Sequence, residues 1–303
     1  MAVHRTRDGG RTWKRLTRTD AFCANPGTCV TGLRFVTSRV GYMFGSASFM
    51  TTDGGRIWTP LRGPQVESVA FSGRNVFRLV YHGSGCPGPC RPALERAATG
   101  GHAWTTVRRW PRAPGFGEQL VGGGTNLYVI LYGHIAGGAG SAHATIEVSH
   151  DLGRTWSSRA DPCGGSGAQE QDALAAAAAR DLLAVLCTRR TGQGQGSAFT
   201  TLSRDAGRTF TAGARVPVTA PEQIAVGNGG NSGGGNFDYE LGLSEDGGRS
   251  WRVAVRDRKP LSKDLEAGPL QFVVPRAVSW IGSPHVVWLS SDAGRNWRNS
   301  PAP

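Results

Sequence analysis

The chain has 303 residues, 39% of them hydrophobic, and a formal net charge of +12. That length suits two ordinary domains or one large all-β domain, and no run of 18 apolar residues offers a membrane-spanning helix. Forty-five glycines and 17 prolines point to many short strands joined by tight turns. The positive charge is almost all arginine, since lysine occurs only at Lys14, Lys259 and Lys263. A basic surface concentrates polyanions and is drawn to anionic envelope surfaces, and it also keeps a protein soluble.

Along the chain one short pattern returns. It reads Thr6-Arg7-Asp8-Gly9-Gly10-Arg11-Thr12-Trp13, then Thr51-Thr52-Asp53-Gly54-Gly55-Arg56-Ile57-Trp58. Further copies end at Asp151 with Trp156, Asp205 with Phe210, Asp246 with Trp251, and Asp292 with Trp297. A worn copy ends at Trp104 and has Thr99 where the aspartate belongs. The closing aromatics are spaced 45, 46, 52, 54, 41 and 46 residues apart. That period suits one four-stranded antiparallel unit per copy.

The pattern has a mechanical reading. The aspartate accepts hydrogen bonds from turn N–H groups, and the shared glycine takes a conformation other residues avoid. The Ser or Thr two places before the aspartate ends one strand, and the aromatic begins the next and packs into the stack. These acids are therefore read as a hairpin clasp and not as catalytic carboxylates.

The copies resemble the Asp-box, or BNR, repeat shared by sialidases, xyloglucanases, sortilin-type receptors and the photosystem II assembly factor family. The run Gly41-Tyr42-Met43-Phe44-Gly45 is similar to the second strand of the assembly-factor type of blade. The resemblance implies an all-β, seven-bladed β-propeller occupying residues 1–303 as one domain. It places the box between the third and fourth strands, away from the ligand side.

Strands follow from that register. The second unit is expected at Val30–Val36, Val40–Gly45, Ser48–Thr52 and Trp58–Leu61, and later second strands at Val76–Tyr81 and Leu127–Tyr132. The alanine-rich run Ala173–Leu186 favours helix by intrinsic propensity. The repeat demands two strands there, broken at Arg180-Asp181, and the register is followed. The last unit is expected at Leu270–Val274, Ala277–Ile281, Val286–Ser290 and Trp297–Ser300. The segment 227–236 is nearly all Gly, Asn and Ser and gives no strand signal. Met1 falls inside a third strand, so six complete blades and an N-terminal half blade are expected, with an export signal and two more strands encoded upstream.

Six cysteines fall as Cys23/Cys29, Cys86/Cys90 and Cys163/Cys187. On the strand map all lie on the face opposite the boxes, which argues for three disulfides and an extracellular or cell-surface protein. Their spacing with histidine does not make a zinc set. The same face carries the long loops 18–29, 83–93, 109–117, 133–143, 158–172, 191–198 and 256–268. Long loops on a rigid frame are where binding is expected.

No catalytic residue, cofactor or metal ligand is assigned. A sialidase reading lacks the Arg-Ile-Pro motif of that family; Val274-Pro275-Arg276 is a different order. A glycosidase needs two carboxylates about 5–10 Å apart. Among Asp20, Glu118, Asp161, Glu170, Asp172, Asp257, Asp264 and Glu266 no pair stands out from solvated loop charge. Arg108-Arg109-Trp110 hints at polyanion binding, against the plainer reading of arginine stacked on tryptophan. The expectation is a non-catalytic binder of a protein or glycan, with a polyanion as a further option and no specific nucleic acid. The alternative is an exo-acting glycoside hydrolase.

Overall fold

The computed structural model describes residues 2–8, 11–18, 30–82, 91–110, 119–131, 145–160, 162–163, 171–179, 181–190, 196–216, 239–243, 252–257, 271–274, 277–281, 286–292 and 295–301. Within them every regular element is a strand. The first sheet pairs β1 (Ala2–Arg5) with β2 (Lys14–Arg18). The second holds β3 (Val30–Phe35), β4 (Gly41–Gly45), β5 (Phe49–Thr51) and β6 (Thr59–Pro60). The third holds β7 (Gln65–Ser72), β8 (Asn75–His82), β9 (Arg91–Ala98) and β10 (Thr105–Arg109). The fourth holds β11 (Gln119–Gly123), β12 (Asn126–Leu131), β13 (Thr145–Ser149) and β14 (Ser157–Ala160). The fifth holds β15 (Gln171–Ala179), β16 (Leu182–Arg190), β17 (Gly196–Ser203) and β18 (Thr211–Val216). A pair, β19 (Tyr239–Leu243) and β20 (Arg252–Asp257), makes the sixth. The last holds β21 (Gln271–Val274), β22 (Ala277–Ile281), β23 (Val286–Ser290) and β24 (Arg298–Pro301).

Each four-stranded sheet is an antiparallel meander in chain order. The first strands of neighbouring sheets lie side by side, β7 against β11 and β11 against β15. Ser68 shows this contact in atoms: its Oγ donates to the Leu120 carbonyl and accepts the Leu120 N–H, both at 3.3 Å. Ser72 Oγ also donates to the Gly124 carbonyl. First strands are thus innermost and the sheets face one another, as propeller blades do.

Hydrophobic layers fill the spaces between sheets. Tyr42, Val66, Val69, Val80 and Ala97 join the second and third sheets. Phe77, Leu79, Leu120, Leu127 and Val129 join the third and fourth. Tyr128, Ile130, Val148, Leu183 and Val185 join the fourth and fifth. The box aromatic of each sheet enters the layer shared with the preceding sheet: Trp58 with Val3, Trp104 with Tyr42, Trp156 with Trp110, Phe210 with Tyr128. Trp156 meets Trp110 edge-on at 5.9 Å, a favoured aromatic geometry. Trp13 follows the same habit across the ends of the chain, donating its Nε1–H to Ser300 Oγ at 3.1 Å.

The alanine-rich run forms two strands, parted at 180–181, as the repeat demands. Leu183, Val185 and Cys187 alternate into the core with no exposure. Burial on one face of a strand outweighs the small helical preference of alanine. Cys187 does not end its strand; β16 continues to Arg190, paired with β17. The strands expected at 40–45, 76–81, 127–132, 277–281 and 286–290 are found within one residue at either end.

Candidate functional site

The two ends of the sheets are built differently. At one end the links are short: residues 73–74 join β7 to β8, 124–125 join β11 to β12, and 180–181 join β15 to β16. The boxes lie at this end and clasp it. Asp151 Oδ1 accepts the Ser149 hydroxyl at 2.8 Å and the N–H groups of Arg154 and Thr155 at 2.9 and 2.8 Å. Its Oδ2 accepts the Thr155 hydroxyl at 2.6 Å. Asp205 repeats all four bonds with Ser203, Arg208 and Thr209. Asp8 binds Thr6 and Thr12, and Asp292 binds Ser290 and Asn296. Asp53 keeps the Thr51 hydroxyl and the Arg56 and Ile57 N–H groups on Oδ1, and loses the hydroxyl bond to Oδ2 because Ile57 stands in the threonine position.

Thr51, Ser149 and Ser203 also accept the box glycine N–H, from Gly55, Gly153 and Gly207 respectively. A further bond ties the box to the neighbouring turn: Gly54 N–H to Arg39 O, Leu152 N–H to Thr125 O, Ala206 N–H to Asp181 O. In the worn copy the donor moves back one residue: Thr99 N–H, at the aspartate position, bonds to Arg74 O, and Gly100 N–H bonds to the Tyr42 hydroxyl. Carboxylate bonds to the turn are present at Asp8, Asp53, Asp151, Asp205 and Asp292; Asp246 and Trp251 lie outside the described residues.

Hydrogen bonds to the ionised form hold these carboxyls below the usual range. The Thr155 hydroxyl and N–H bring Asp151 to about 2, and Asn296 does the same for Asp292. Asp8 and Asp205 are held lower still by Thr12 and Thr209. Because the folded-state value is depressed, the stabilisation is complete above the unfolded value near 4 and is lost as pH falls toward 2. The midpoint of thermal unfolding, followed by circular dichroism, is expected to fall steeply between pH 4 and pH 2. An Asp151→Asn/Asp205→Asn variant should show a shallower fall.

The turn also sets backbone demands. Leu152 and Ala206 hold φ near 60°, and Gly153 and Gly207 follow at 84° and 81°. A Cβ on Gly153 would lie 2.8 Å from Val107 Cγ1. Gly153→Ala is expected to cost about 2 kcal/mol, from the left-handed backbone and the clash. Ala206→Gly trades a small buried methyl for a relaxed left-handed position, and its change should stay under about 1 kcal/mol. Urea denaturation of both variants checks the contrast.

At the opposite end the connections of the third and fourth sheets, and the one leading into the fifth, are longer: 83–90, 110–118, 132–144 and 161–170; the second sheet reverses this order, with 36–40 at the box end and 46–48 opposite. Cys163 lies in one of them and is bonded to Cys187 on β16, with both sulfurs in the core. Thr201 Oγ1 adds a bond to the Pro162 carbonyl at 3.4 Å. This connection is thus fixed to the fifth sheet. Cys23, Cys29, Cys86 and Cys90 lie outside the described residues. So do the candidate acids Asp20, Glu118, Asp161, Glu170, Asp264 and Glu266. Asp172 and Asp257 fall on strands β15 and β20, not in loops.

Two ion pairs stiffen the frame, the first of them buried. On β8, Arg78 lies directly across from Glu95 of β9, with Nε and Nη2 each 2.7 Å from Oε2. Its guanidinium sits 4.0 Å above the Trp104 ring. Glu147 holds the same place relative to its box that Glu95 holds, two residues before the first box position. Its partner is Arg108 of the preceding sheet, at 2.7 Å. Arg108 also stacks on Trp110 and Trp156. The Arg108-Arg109-Trp110 run is accordingly an inter-sheet staple through Arg108.

Glu67 is the residue that sequence reasoning missed. It is the extra residue of a bulge in innermost strand β7, where pairing with β8 skips between Val66 and Ser68. Bulges re-aim a side chain. Among the described residues Glu67 has no hydrogen-bond or ion-pair partner, and burial pushes its carboxyl above the usual range. The signal was present as a break in alternation: Val66 is followed by two polar residues, Glu67 and Ser68, before Val69.

No family model matches the chain, and no curated protein matches it. Solved structures do. A structure described as YCF48 bound to D1 peptide is 16% identical, spans 89% of this chain and 80% of its own, with a TM-score of 0.49. YCF48 from Cyanidioschyzon merolae is 16% identical over 90% and 84%, at 0.48. The GH74 xyloglucanase from Xanthomonas campestris is 15% identical over 89% of this chain and 45% of its own, at 0.47.

Proposed function

We propose that the chain is a closed seven-bladed propeller and a non-catalytic binding module, recognising a protein or glycan through the face opposite the boxes. The observation that carries this reading is the asymmetry of the two ends. One end is closed by two-residue turns and repeated carboxylate clasps. The other carries longer connections, one of them anchored by Cys163–Cys187. Anchored loops on a stiff frame lose less conformational entropy when they bind.

Ring closure is part of the proposal. Every described box aromatic from the second sheet to the fifth packs toward the preceding sheet, and the Trp13–Ser300 bond gives the first sheet the last as its predecessor. Export to an oxidising compartment is also proposed, on the buried disulfide.

The box aspartates are committed to turn N–H and hydroxyl groups, so the conspicuous acids of the repeat are not available as an acid–base pair. The test is a hydrolysis screen on xyloglucan, sialosides and aryl glycosides. No turnover is expected above that of a Glu67→Gln/Asp161→Asn/Glu170→Gln variant. Turnover that this variant abolishes would make the protein a glycosidase and end the binding-module reading.

A further inference from the structure

We infer that a basic cleft at the box end, between the first sheet and the second box, binds a compact ligand carrying several phosphate or sulfate groups. The cleft holds about 500 Å³ and is lined by Arg5, Arg7, Lys14, Arg15 and Arg56, with Thr12 and Leu16. Among the described residues none of these five cations has a carboxylate ion-pair partner. The two nearest box acids, Asp8 and Asp53, are turned to their own turns by bonds to Thr12, Arg56 and Ile57, so the cleft stays strongly positive.

The backbone forces this concentration of charge. Arg5 of β1 and Lys14 of β2 are directly opposite one another. Like charges in that position destabilise a strand pair, so the arrangement is costly until an anion arrives. Successive residues of a regular strand point to opposite faces. Here pairing skips at Leu16, between Val3 and His4, and this bulge lets Arg15 and Leu16 line one cleft, which Lys14 joins from the start of β2 opposite Arg5. The second sheet closes the far side. A Cβ on Gly54 would come within 3.4 Å of Arg5 Nη1, and one on Gly55 within 3.4 Å of Leu16 Cδ1.

The lining selects the ligand class. Arginine forks match tetrahedral oxyanions in two-point contacts. Among the described residues no aromatic ring lines the cleft to stack a nucleobase. Five cations around so small a space favour charges on adjacent groups. An oligophosphate or a densely sulfated sugar supplies them, whereas an acidic peptide interposes backbone between its carboxylates.

Calorimetric titration of the full chain tests this, with tripolyphosphate, a heparin-derived disaccharide and penta-aspartate as probes. One saturable site is expected for tripolyphosphate or the disaccharide, whichever binds tighter naming the group. Arg15→Gln/Arg56→Gln should weaken it at least tenfold, while Arg74→Gln/Arg154→Gln, with equal charge loss elsewhere, should leave it within twofold. Equal weakening in both variants, no saturable site, or tighter binding of penta-aspartate would overturn the proposal. A second readout does not depend on binding. Lys14→Glu removes the like-charge pair and should raise the thermal midpoint of the free protein at low salt; a lowered midpoint would contradict the built-in repulsion.

Discussion

Replacing Arg78 by methionine is expected to destabilise the fold by about 3–5 kcal/mol, because it strands a buried carboxylate. Arg78 is 4% exposed and Glu95 7%. Without Arg78, the ion-pair partner left to Glu95 among the described residues is His82, whose Nε2 lies 3.6 Å from Oε1. The arginine also covers the Trp104 ring and stands 3.1 Å from where a Cβ on Gly63 would lie, so methionine fills its stem but not its head. Glu95→Leu alone should cost a similar amount by leaving the guanidinium unpaired. The double variant Arg78→Met/Glu95→Leu should recover most of the loss, since an apolar pair of similar volume removes both desolvated charges. Urea denaturation of the four proteins checks this as a cycle. Additive losses would show that the two side chains act separately.

Removing the Cys163–Cys187 disulfide by alanine at both positions is expected to cost about 3 kcal/mol. The bridge closes a loop of 24 residues, and the chain-entropy estimate for that length is of this size. Both sulfurs are buried with Tyr128, Ile146 and Val148, so the variant also leaves a small packing defect. Because the bridge ties a connection to β16, hydrogen exchange should rise first in the fifth sheet. Little change is expected in the second and third sheets, which share no layer with it. Uniform loss of protection would mean that the disulfide supports the whole ring and not one connection.

The repeat made most of the architecture legible in the sequence. Its period marked where each sheet turns, and the strand order follows because each meander is local. It even overrode the helical preference of Ala173–Leu186 correctly, since alternating burial at Leu183, Val185 and Cys187 depends on register and not on propensity. Features that depend on irregularity were not legible in the same way. The bulges that place Glu67 in the innermost strand and bring Arg15 and Leu16 to one cleft show only as small breaks in alternation. The Arg78–Glu95 pair joins residues 17 apart, whose opposition is known only once the register of β8 and β9 is known. The box itself drew attention from its own end of the molecule. Its acids bond to their own turns, and the arginines and lysine around the first two boxes gather into a charged cleft that the motif alone does not reveal.

The proposed closure of the ring underlies the proposed binding face, and one distance tests it. Spin labels at Arg11 and Asn299, both exposed positions on the first and last sheets, report it by pulsed dipolar spectroscopy. With Trp13 bonded to Ser300, sheets packed at about 10 Å and label arms included, a narrow distribution centred near about 20 Å is expected. A broad distribution beyond roughly 40 Å would mean that the first and last sheets are free ends of an open arc of stacked sheets, and would contradict the closed propeller.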